Sequence, residues 1–186
     1  MRAALLSALL VTALALPGMR GALEQVMVTH MLVQIPLLAV GGAVAAEALP
    51  VGWRSRIAAW NRGGVAGTML ALIVSSWWMV PRALDLALGA PAMEVTKFVT
   101  LPLLVGVPLR LSWRPLGALG RGFVLANVLP MWAVVGWMYV VAPVRVCNFY
   151  LLDQQVSAGA GLLVASAVVA AATGALAFRD VRSDAW

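Results

Sequence analysis

An all-α bundle of six membrane-spanning helices is predicted for this chain, and three observations predict it. Of its 186 residues, 63% are hydrophobic and 11% are charged, more apolar surface than a soluble domain of this size can bury. The ionisable residues fall mainly in short segments between five or six apolar stretches. Those stretches approach the roughly 20 residues that a helix needs to cross the hydrocarbon core. Six such helices with brief connections fill the chain, so residues 1–186 read as a single integral membrane domain.

The first apolar span, 3 to 16, follows Arg2 and ends at Pro17-Gly18. It reads as a short first helix, with a cleaved secretory signal over 1–17 as the alternative; no clean small-x-small cleavage site favours the helix. Removing it would leave five helices. The second span, 25 to 46, carries His30, Gln34 and Gly41-Gly42, and the third, 64 to 81, ends in Trp77-Trp78-Met79. The fourth, 97 to 112, is short and contains Pro102 and Pro108, which predict a kink. The fifth and sixth run over 122 to 142 and 154 to 178; Gly159 and Gly161 in the last allow close helix contact.

Orientation follows from the basic residues. With the N-terminus in the cytoplasm, one side receives Arg2, Arg54, Arg56, Arg62, Arg110, Arg114, Arg121, Arg179 and Arg182, and the other Arg20, Arg82, Lys97 and Arg145. Nine against four makes the first side cytoplasmic and puts both termini there. The sequence pI near 11.1 is explained by these dispersed loop arginines, and nucleic-acid binding is not expected.

The opposite, outer side then holds the one histidine, the one cysteine and four of the seven acids. Met27, His30, Met31 and Gln34 recur at spacings of three and four and share a helix face. Thioether, imidazole and thiolate are soft or borderline ligands, so Met27, His30, Met31, Met79 and Cys147 form a candidate Cu(I) set. The commoner reading of such methionines is that they fill gaps between helices. A lone cysteine forms no internal disulfide. Glu94 is expected to pair with Lys97 three residues on. Asp153 is placed to cap the last helix, with Gln154 and Gln155 in its first turn. Trp77, Trp78, Trp132, Trp137 and Tyr139 read as interfacial or packing aromatics.

Enzyme chemistry finds little support. One histidine excludes a bis-His haem site unless methionine replaces a partner, and no haem is expected. No Gly-rich phosphate loop and no convincing Ser, His and acid set is present. No inverted repeat of the transporter kind stands out.

Several blocks nevertheless occur in a familiar order. His30-Met31-Leu32-Val33-Gln34-Ile35-Pro36 resembles the histidine-rich second-helix motif of the CtaG family, membrane proteins associated with assembly of cytochrome c oxidase. Trp78-Met79-Val80-Pro81 with Ala83-Leu84-Asp85-Leu86-Ala87-Leu88 resembles its Trp-His-x-Pro and Tyr-Asp-x-Ala-Leu stretch. Glu94 with Phe98 resembles a Glu-His pair followed by Phe, and Asp153-Gln154-Gln155 with Ala158-Gly159 resembles its Asp-Gln-Gln-x-Ala-Gly signature. Together these cover about residues 24 to 165. Gln34, Met79 and Val95 stand where the family pattern has histidine.

The resemblance implies an inner-membrane protein of oxidase assembly, with oxidase subunits or a copper chaperone as partners and copper handled at the periplasmic face. Its alternative is a metal-free scaffold or interaction subunit. Glu94, Asp153, Gln154 and Gln155 are then structural or partner-docking residues.

Overall fold

The computed structural model describes residues 2–183, with side chains described as far as residue 176. Met1 and residues 184–186 lie outside it, and so does the expected cytoplasmic placement of the chain ends. Helices follow in the order α1 (Arg2–Ala15), α2 (Pro17–Glu24), α3 (Met27–Glu47), α4 (Val51–Trp60), α5 (Val65–Trp78), α6 (Pro81–Gly89), α7 (Pro91–Trp113), α8 (Ala118–Val141) and α9 (Leu152–Ser183). No strand occurs among the described residues. The chain is an all-α bundle: α3, α7, α8 and the Leu152–Leu176 part of α9 are each long and apolar enough to span a membrane. The bent pairs α1 with α2 and α4 with α5, each broken by 65°, bring the number to six if each pair is one span.

Proline sets the local shape of α3 and α7. Pro36 and Pro108 each lack the N–H that would bond four residues back, and each ring crowds the preceding turn. In both helices the backbone widens to a π turn ending two residues before the proline, at His30–Gln34 in α3 and at Leu101–Gly106 in α7. Ile35 N–H then reaches the His30 carbonyl, and Val107 N–H that of Pro102. The expected proline kink thus takes the form of a π turn, and the His30–Gln34 face is set on that turn rather than on regular α-helix.

Glycine decides how closely these two helices approach. A Cβ on Gly42 would overlap the Pro102 carbonyl oxygen, and one on Gly106 would overlap that of Ala39. The α8–α9 pair uses the same device, with Gly136 and Gly159 each facing the other's carbonyl. Ser7 of α1 donates to the Gly41 carbonyl at 2.8 Å, joining α1 to α3. Gly42→Val is therefore expected to destabilise the bundle by about 1–3 kcal/mol through overpacking against backbone that cannot move aside. Thermal unfolding in detergent micelles measures it, with Gly18→Val, a change into open space, as the reference.

Polarity is distributed as lipid demands. Leu9, Ile73, Val134 and Trp137 are exposed on the outside of the bundle, while His30, Gln34, Lys97, Gln155 and Ser112 are buried within it. Polar groups turned inward find partners that hydrocarbon cannot supply.

Candidate functional site

The densest polar group lies where α2 meets α3 and α7, at the end of the bundle away from the clustered arginines. Its centre is Lys97, fully buried in α7. At 1.5 Å per residue, Lys97 and Gln34 sit about 10 Å inside the starts of α7 and α3. An ammonium there is costly unless each of its three hydrogens is taken up.

All three are. Lys97 Nζ donates to Glu24 Oε1 at 2.6 Å, to His30 Nε2 at 3.1 Å and to Gln34 Oε1 at 3.1 Å. Gln34 Nε2 in turn donates to Glu24 Oε1 at 3.1 Å. The Tyr150 hydroxyl donates its one hydrogen to the Glu24 carbonyl at 3.0 Å, so its 2.6 Å bond to His30 Nδ1 has the imidazole as donor. That fixes His30 as the neutral Nδ1–H tautomer, with Nε2 accepting from Lys97. Burial, reinforced by Glu24, Cys147 and Asp85, pushes the Tyr150 hydroxyl pKa up, so it remains a donor.

Toward the surface the network continues through Arg20, which pairs with Glu94 and lies 3.9 Å from Glu24. Two basic and two acidic side chains thus alternate from rim to interior. The pairing expected within α7 is corrected: Glu94 bonds Arg20, and Lys97 bonds Glu24 across 73 residues of sequence. Lys97 points into the bundle, where Glu24 at the C-terminal end of α2 offers a second carboxylate.

A second polar cluster holds the segment between α8 and α9. Asp85 of α6 accepts the Asn148 N–H on both carboxylate oxygens at 2.9 Å, the Asn148 side-chain amide at 2.8 Å and the Phe149 N–H at 3.5 Å. Gln155 accepts the Val146 N–H at 2.7 Å and donates to the Tyr139 carbonyl at 3.2 Å. These bonds position Tyr150, and through it His30. Asp153 is not the cap expected for it: α9 begins at Leu152, which puts Asp153 inside the first turn, where its charge complements the helix dipole. Gln154 reaches the Gln25 carbonyl at 3.4 Å.

The candidate copper ligands do not form an open metal site. Both His30 nitrogens are engaged by protein partners. Met27, Met31 and Met79 are part of the hydrophobic core, the packing role of methionine. The Cys147 thiol lies 3.8 Å from the Pro81 carbonyl and 4.0 Å from the Tyr139 hydroxyl. Among the described residues no three His, Cys, Asp or Glu side chains are grouped to hold a metal ion.

Burial, with Asp85 adding to it and the Tyr139 hydrogen bond opposing it, pushes the Cys147 thiol from 9.0 up to about 11. It therefore stands as a thiol at neutral pH. Because the folded value is the higher one, its contribution to stability is full below pH 9 and is lost as pH rises through about 11. Alkylation by iodoacetamide at pH 8 is expected to be at least about tenfold slower in the folded protein than in the denaturant-unfolded chain. Equal rates would show an accessible, ordinary thiol.

Sequence reasoning passed over Lys97 and Tyr150 as members of this site. Lys97 carried a readable signal, since a lone lysine inside an apolar span is a functional or structural centre by default. Tyr150 carried none, because its role depends on how the α8–α9 connection folds back.

Fold and site together define a polytopic membrane helix bundle with a closed, charge-balanced polar core near one end. Comparison with protein-family models, curated proteins and solved structures gives no match.

Proposed function

We propose that this chain is a metal-free membrane scaffold that assists assembly of a terminal oxidase in a bacterial inner membrane, its arginine-rich end cytoplasmic. The observation that carries the metal-free reading is the Lys97 ammonium, held by a carboxylate, an imidazole and an amide oxygen. Those are donors of the kind a cation site uses, and a side chain of the protein fills their centre. With all three ammonium hydrogens and both His30 nitrogens engaged, the cluster fixes the relative rotation of α2, α3 and α7. The oxidase context rests on the order of blocks that resemble the CtaG family, and oxidase subunits or a copper chaperone are the partners it names.

Affinity purification from membranes tests the assembly role, with recovery of oxidase subunits expected. A pull-down free of them overturns it. Cu(I) titration of the purified protein tests the metal-free role: no stoichiometric binding is expected, in wild type or His30→Ala. One Cu(I) per chain, lost in His30→Ala, would establish copper handling in its place.

A further inference from the structure

At the opposite end of the bundle, arginines and an apolar groove meet in a way that the polar core does not explain. A cleft of about 460 Å³ lies between the ends of α3 and α7, bordered by Glu47, Arg54, Arg110 and Arg114. Arg110 bonds Glu47 at 2.8 Å, and Arg54 bonds the Ala46 and Glu47 carbonyls that end α3. Arg114 has no acidic partner among the described residues. Three guanidinium groups therefore face one carboxylate, and the cleft is complementary to an anion.

Arg110 also borders a second hollow, of about 440 Å³, whose other walls are apolar: Val40 and Ala43 of α3, Gly106, Leu109 and Trp113 of α7. It runs from the cleft toward the middle of the bundle, and Ala39 at its far part is seven residues, about 10 Å, from Ala46 at the cleft. Exposed Trp53, Trp60 and Trp113 gather at the same end, the arrangement by which aromatic side chains mark the level of lipid headgroups.

We infer that the arginine-rich end binds an anionic phospholipid, with the phosphodiester in the cleft and one acyl chain in the groove. A basic hollow at headgroup level that continues into an apolar one facing the hydrocarbon matches both halves of such a molecule. A soluble anion would leave the groove without an occupant. A zwitterionic lipid would leave the surplus positive charge uncompensated. Arg114 is the residue with most to offer the phosphate, since Arg54 and Arg110 already share their hydrogens with α3.

Native mass spectrometry of the full chain, delipidated and then given phosphatidylglycerol or phosphatidylcholine of equal chain length, tests this. One phosphatidylglycerol retained per chain is expected, with retention falling about fivefold in Arg114→Gln. The Arg114 side chain is exposed and makes no ion pair among the described residues, so this variant is expected to keep its fold, which circular dichroism checks. Arg82→Gln, at the other end, is expected to leave retention unchanged. Phosphatidylglycerol brominated on its acyl chain should quench wild-type fluorescence more than that of Trp113→Phe. Equal retention of the two lipids, or an Arg82→Gln effect as large as that of Arg114→Gln, would overturn the site. Displacement of the lipid by millimolar inorganic phosphate, with no Trp113-dependent quenching, would assign the cleft to a free anion and overturn the lipid.

Discussion

Lys97→Met is expected to lower the stability of the bundle by about 3–5 kcal/mol, the largest effect of any single change at the polar core. Methionine fills a similar volume, so the loss measures the charge and not a cavity. Without the ammonium, the Glu24 carboxylate keeps the Gln34 amide and an Arg20 guanidinium 3.9 Å away, and His30 Nε2 and Gln34 Oε1 lose their donor. An acid that loses its nearest counter-charge in a largely buried site is strongly destabilised, while removal of both members of such a pair is often close to neutral. Lys97→Met combined with Glu24→Gln is therefore expected to be more stable than Lys97→Met alone. Unfolding of the four variants in one detergent reads the coupling directly. Additive losses would mean that the 2.6 Å contact contributes nothing beyond packing.

Asp85→Ala is expected to cost about 2–4 kcal/mol and to act at a distance on His30. Two backbone N–H groups and a side-chain amide lose a charged acceptor at once. With them goes the anchor of the α8–α9 connection that carries Tyr150, whose hydroxyl sits 2.6 Å from His30 Nδ1. Hydrogen exchange at the amides of residues 148 and 149 gives a local readout, and protection there should be lost in Asp85→Ala. Asp85→Asn should cost less than Asp85→Ala, because an amide oxygen still accepts while its NH2 meets the Asn148 amide donor. If both variants leave those two amides protected, the connection is held by something other than Asp85.

These two changes show how the halves of the outer end are joined. Lys97 ties α7 to α2 and α3; Asp85 ties α6 to the connection whose Tyr150 reaches back to α2 and α3. Gln155 adds α9 and α8 to the same assembly. A scaffold built this way keeps its helices in one rotational setting, which a bundle packed on apolar contacts alone specifies less well.

The all-α bundle and its charge-poor stretches are properties of the one-dimensional chain and legible in it, whereas the fourth span, expected to be short over 97 to 112, begins at Pro91 and runs 23 residues to Trp113. Crossing hydrocarbon takes a fixed number of apolar residues, and a helix satisfies its own backbone wherever it lies. The tight contact of Gly159 was likewise readable as close helix packing, although Gly18 and Gly174 face open space and the sequence does not tell the two kinds of glycine apart. The departures began where a residue had to choose a partner. Glu94 and Lys97, three apart on one helix, each turned to a residue of α2 instead. Met27, Met31 and Met79, chemically able to bind copper, went to packing. Spacing along a helix says which side chains share its face; helix rotation, helix crossing and the π turns before Pro36 and Pro108 decide what that face meets. Those depend on contacts between segments far apart in the chain, such as Tyr150 with Glu24 across 126 residues. The chain by itself thus fixed a membrane bundle with its scarce polar atoms near one end, and only the packing of that bundle made an ammonium their common centre.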